Sequence, residues 1–103
     1  MDRKEKILAM LADTPGDSFL QHALALEYIK NGNDEEAKKL FETLLMRDPG
    51  YIGSYYHLAK LLERQLDEKG AIAVYEKGMQ EAKLAGDQHA YNELRSAHEE
   101  LTF

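Results

Sequence analysis

The stretch SFLQHALALEYIKNGNDEEAKKLFETLLMRDPGY, residues 18–51, decides the fold once it is set over IGSYYHLAKLLERQLDEKGAIAVYEKGMQEAKLA, residues 52–85. Four positions are identical: Leu24/Leu58, Ala25/Ala59, Ala37/Ala71 and Glu42/Glu76. Three of these fall where the two helices of a hairpin would have to touch. Phe41/Tyr75 keeps an aromatic ring at the same spacing. Pro15 and Pro49 extend the 34-residue period backwards, which predicts that the chain begins inside a repeat. A fixed period of this length marks an architecture built by stacking one supersecondary unit.

The local pattern agrees. Phe19, Ala23, Leu26 and Ile29 follow helical spacing, interleaved with Leu20, Leu24 and Tyr28, until Asn31-Gly32-Asn33 stops the helix. Asn31-Gly32 is no strand hairpin, because its flanks repeat every three to four residues rather than every two. Asn33 and Glu36 predict a capping box for a helix over 34–47, closed by Asp48-Pro49-Gly50. A third long helix is expected from about Tyr51 to Gln65 and a fourth over 68–84, capped by Asp67 and ended by Gly86 in the left-handed conformation. Asp87 opens a last helix with Ala90, Tyr91, Leu94, Ala97, His98 and Leu101 on one stripe. With a first helix over 3–12, that makes six helices and no strand: an all-α chain.

Composition narrows the function. The 103 residues carry 13 Lys+Arg and 19 Asp+Glu, a formal charge of −6. That balance argues against nucleic-acid or anionic-membrane binding, both of which need a basic footprint. Arg3, Lys4 and Lys6 precede an apolar run over 7–12, too short for the core of a secretory signal, and no stretch approaches a membrane span. The expected location is therefore cytoplasmic. Zero cysteines remove disulfides, thiolate metal sites and cysteine nucleophiles. His22, His57, His89 and His98 lack metal-ligand spacing, so neither metal nor other cofactor is expected. Ser18, Ser54 and Ser96 lack a nucleophile elbow, and Glu35-Glu36 and Glu99-Glu100 read as solvated carboxylates rather than an acid–base pair. No catalytic residue is expected.

These residues resemble the tetratricopeptide repeat family, in its small bacterial type. The family pattern of a large residue, Leu, a small residue, Tyr, Ala, an aromatic and Pro is met in repeat one by Gln21, Leu24, Ala25, Tyr28, Ala37, Phe41 and Pro49. Repeat two supplies Tyr55, Leu58, Ala59, Leu62, Ala71, Tyr75 and Lys83. Gln21, Leu62 and Lys83 depart from it. The missing proline at Lys83 predicts a longer fourth helix and a last helix shifted by about two residues. Small Ala25 and Ala37 let antiparallel helices approach closely, and Phe41 fills the space between neighbouring hairpins. The resemblance implies a single domain: a right-handed superhelical stack of antiparallel hairpins. Residues 1–17 form a half-repeat, 18–51 and 52–85 the two repeats, and 86–103 a capping helix.

The resemblance also implies function. Such proteins are scaffolds or adaptors that bind a protein or peptide in the concave groove lined by each hairpin's first helix. Family register assigns Phe19, His22, Leu26, Ile29 and Lys30 of repeat one to that groove. Repeat two contributes Gly53, Tyr56, Lys60, Glu63 and Arg64, and the shifted last helix contributes Asn92 and Ser96. An apolar patch followed by cations would suit a ligand with an apolar residue and a carboxylate. His22 and Leu26 stand where the family's chaperone-tail binders carry carboxylate-clamping residues, so that specialised role is not expected. The alternative is a homodimer joined through the same apolar patch.

Overall fold

A computed structural model describes residues 2–103. The described chain forms six helices: α1 (Arg3–Asp13), α2 (Ser18–Lys30), α3 (Asp34–Arg47), α4 (Gly53–Arg64), α5 (Glu68–Ala85) and α6 (Gln88–Thr102). They group into two units, α1–α3 through Asp48 and α4–α6 from Pro49 onward, each packing chain neighbours against one another.

In the first unit α2 lies against both α1 and α3. Ala25 and Ala37 are wholly buried together with Phe41 and Leu44, as small residues at a close helix crossing require. Ile7, Ala23 and Leu24 form a second buried cluster against Leu11, Tyr28 and Leu40. Arg47 ties the end of α3 to the α1–α2 connection, donating to the Gly16 carbonyl and to Gln21 Oε1, each at 2.6 Å. The Ser18 hydroxyl donates to Asp48 at 2.7 Å.

In the second unit α5 is the middle helix. Ala59, Leu61, Ala71, Tyr75 and Ala82 are fully buried. Gly78 on α5 is pressed so close to its neighbours that a β-carbon there would meet Tyr55 Cβ at 2.7 Å and Leu94 Cδ1 at 3.0 Å. With 18 residues against 14, α5 outruns α3, as the absent proline at Lys83 predicts. Helix α4 begins at Gly53, two residues later than expected, and the Tyr51 and Ile52 carbonyls before it accept three-residue turn bonds from Ser54 and Tyr55 N–H.

The two repeats share one polar contact through different residues. The Tyr55 hydroxyl donates to the Pro49 carbonyl at 2.6 Å. Thirty-four positions earlier, Gln21 Nε2 donates to the Pro15 carbonyl at 2.8 Å. Gln21, a departure from the aromatic pattern, thus keeps the hydrogen bond and gives up the ring.

Helix ends explain the turns. Asp17, Asp67 and Asp87 cap α2, α5 and α6 through side-chain carboxylates that accept from Leu20, Gly70 and Ala90 N–H. The expected capping box at Asn33 does not form, and its side chain makes no capping bond. The Asn33 N–H, which Glu36 would have to accept, already donates to the Tyr28 carbonyl at 2.7 Å. That bond belongs to a six-to-one closure of α2, and Asp67 N–H to Leu62 O and Asp87 N–H to Ala82 O close α4 and α5 in the same way. Each closure turns on a left-handed residue: Gly32 (φ 80°), Leu66 (φ 61°) and Gly86 (φ 70°).

Leu66 is the exception, since an L side chain in that region costs about 1–2 kcal/mol and Leu66, 90% exposed, recovers almost nothing by burial. Leu66→Gly is therefore expected to raise stability by about 0.5–1 kcal/mol, the relief of strain being partly offset by a more flexible unfolded chain. Urea denaturation checks it, and an unchanged or lowered midpoint counts against the strain.

Candidate partner-binding site

The residues assigned to a groove fall on two faces, one in each unit. On α2, Phe19, His22, Leu26, Ile29 and Lys30 follow the helical period along one side. Phe19 is 66% exposed, unusual for so large an apolar side chain. Leu26 and Ile29 are half-buried, and Lys30 is exposed at the last turn. His22 turns inward, its ring edge-on to Phe41 at 5.7 Å between centroids, so it supports the core as much as the surface.

In the second unit, α4 and α6 enclose a cleft of about 280 Å³ lined by Tyr56, Lys60, Glu93, Ser96, Ala97 and Glu100. Beside it, Tyr56 and Glu93 also line a cleft of about 210 Å³ with Gly53, His57, Ala90 and Leu94. Tyr56 is half-buried and held by ring contacts, edge-on to His57 at 5.8 Å and inclined to Tyr75 at 6.5 Å. Burial holds His57 below the usual imidazole range.

Lys60 is the side chain whose setting departs most from a plain cationic row. Its ammonium lies 5.5 Å from the Tyr56 ring centroid and 3.5 Å from Glu63 Oε2. Glu63 in turn accepts a hydrogen bond from the Tyr75 hydroxyl. Burial first, then the hydrogen bond and the charge of Glu63, push the Tyr75 phenol far above its ordinary range, so it stays a donor. Arg64 is exposed at the end of α4. Lys60 is therefore not a free charge.

Asn92 lines neither of these two clefts. It accepts from Gln88 Nε2 at 2.9 Å and borders Arg95, Ser96 and Glu99. The α6 residues that line the cleft with Tyr56 include two carboxylates: Glu100, expected to be solvated, and Glu93, which the sequence did not single out. Their spacing carried the signal: Glu93, Ser96, Ala97 and Glu100 are i, i+3, i+4 and i+7 on one helix side. No helix of the described residues is long and apolar enough to cross a membrane.

The tetratricopeptide repeat family model matches residues 20–51. No curated protein matches the chain. Among solved structures, a tetratricopeptide repeat domain protein from Salinibacter ruber is 41% identical, and the solution structure covers 84% of this chain and 88% of its own, with a TM-score of 0.82. Its crystal structure gives 0.80 over 84% of this chain and 97% of its own, at the same identity. A protein from Bordetella parapertussis is 28% identical over 99% of this chain and 89% of its own, with a TM-score of 0.84. The chain belongs to the tetratricopeptide repeat family, whose members are generally non-catalytic modules of protein interaction.

Proposed function

We propose that the chain is a scaffold that binds partner-protein segments, with one face for them carried by α2 and another by α4, the first helix of each hairpin. The observation that carries this reading is Phe19, two-thirds exposed at the head of a strip continued by Leu26 and Ile29. Large apolar side chains exposed beside half-buried ones anchor interfaces, and rigid aromatics such as Tyr56 do so at small entropic cost. The residues assigned to contact are Phe19, His22, Leu26, Ile29 and Lys30 in the first unit, with Tyr56, Lys60, Glu63, Arg64 and Asn92 in the second.

The test is chemical-shift mapping with a segment of a protein captured by affinity and absent from a Leu26→Ala control. Leu26→Ala or Tyr56→Ala is expected to weaken that segment by about 1–2 kcal/mol, with little dependence of the loss on salt. Glu42→Ala on exposed α3 surface should leave affinity unchanged. Glu76 is no such control, because it pairs with His98 at 3.1 Å. Perturbations clustered around Glu42 instead of Leu26 and Tyr56 would overturn the reading.

A second reading takes the apolar strip headed by the exposed Phe19 as the surface of a homodimer. A dimer that light scattering finds independent of concentration, and that Phe19→Ser dissolves, would make this face a self-association surface instead.

A further inference from the structure

The cleft between α4 and α6 differs in chemistry from the α2 strip. Its wall carries the ring of Tyr56, the apolar Ala97 and the carboxylates Glu93 and Glu100. The one cation there, Lys60, is already matched by Glu63 at 3.5 Å. Glu93 shares only the exposed His89, at 2.7 Å. Glu100 makes no ion pair among the described residues. The charge that remains unbalanced is negative.

Two further observations bear on what would fill the space. At about 280 Å³ the cleft lies at the bottom of the range of small-molecule sites, roughly 300–1,000 Å³, and has room for one long side chain. The Tyr56 ring also already attracts an ammonium, since Lys60 Nζ lies 5.5 Å from its centroid. The chain's own lysine shows what this aromatic wall accepts.

We infer that the cleft takes a basic side chain, an arginine or lysine of the bound partner segment. Glu93 and Glu100 match its charge, and Tyr56 packs along its aliphatic stem. The inference rests on the partner-binding reading above and names the chemistry of one contact within it. It also reverses the role of Lys60. Instead of drawing a carboxylate into the cleft, Lys60 competes with the incoming cation for the same ring and the same field.

That reversal makes the test one of sign. The probes are the N-acetyl methylamides of arginine, lysine and glutamate, titrated at millimolar concentration into the uniformly nitrogen-15-labelled full chain. The arginine and lysine probes are expected to shift the amides of Tyr56, Ser96, Ala97 and Glu100 saturably, and the glutamate probe is expected to leave them in place. Glu93→Gln combined with Glu100→Gln should weaken the arginine probe by about fivefold. Lys60→Met, which keeps an apolar stem and removes the charge, should tighten it by about threefold. All three positions lie at the surface, and the amide spectrum of each variant reports at once whether it has folded. Equal shifts from the glutamate probe, no saturable shift from any probe, or weaker arginine binding in Lys60→Met would each overturn the inference. A partner segment that needs Leu26 yet carries no basic residue against Tyr56 would overturn it too, while leaving the scaffold reading in place.

Discussion

Removing residues 87–103 is expected to cost the second unit its cooperative unfolding. Leu94 and Ala97 on α6 are almost wholly buried against the unit, while Ala90, Tyr91, His98 and Leu101 are half-buried on the same stripe. A fully buried leucine contributes about 1.5–3 kcal/mol, and the stripe together is worth on the order of 5 kcal/mol. That approaches the whole stability of many domains, about 5–15 kcal/mol. The truncated chain would also bare the face of α5 around Gly78 and Ala82, whose neighbours exclude water in the intact protein. Broadened or missing amide resonances over 53–86, with aggregation on warming, are the expected signs. A truncated chain that stays monomeric with an unchanged melting temperature would refute the capping role of α6.

The helix crossings should prove the least forgiving points for single substitutions. Ala37→Leu and Ala71→Leu each force a branched side chain into a position with no exposed surface, at an expected cost of about 1–3 kcal/mol. Gly78→Val belongs at the upper end of that range or above it, near 3 kcal/mol, because its first added carbon would overlap the Cβ of Tyr55. Lys38→Ala, at the surface of α3, should stay within about 0.5 kcal/mol. Denaturant titrations rank the four, and equal shifts in the alanine and lysine variants would sink the packing described.

Much of this architecture was legible because the repeat states it twice. Ala25 and Ala59, like Ala37 and Ala71, can be small at a 34-residue spacing for one reason, and the structure buries all four. What the period hides is substitution of means. Gln21 reads as a lost aromatic, yet its amide makes the bond to a proline carbonyl that the Tyr55 hydroxyl makes one repeat later. Leu66 carries the left-handed turn that Gly32, 34 positions earlier, carries in the first hairpin. The capping box at Asn33 fails for a related reason: the amide it needs is committed to closing the previous helix.

The candidate site was legible as a face and less so as a chemistry. Family register placed Tyr56, Lys60 and Glu63 in one row along α4. It could not show that Glu63 and Tyr56 would both claim Lys60, nor that α6 would turn Glu93 and Glu100 toward the same ring. Pairing of charges depends on which neighbouring helix arrives and at what rotation. A −6 net charge says nothing of that.

The left-handed turns after α2, α4 and α5 have a consequence for how the chain acquires its shape. Each reverses direction within about three residues, so the main helix contacts join neighbours along the polypeptide and little entropy is spent closing loops. Chains dominated by such nearby contacts reach their final form quickly, in microseconds to milliseconds. Synthesis adds roughly 5–20 residues each second. At that rate of synthesis each helix has time to dock onto the one made just before it as soon as both have left the ribosome.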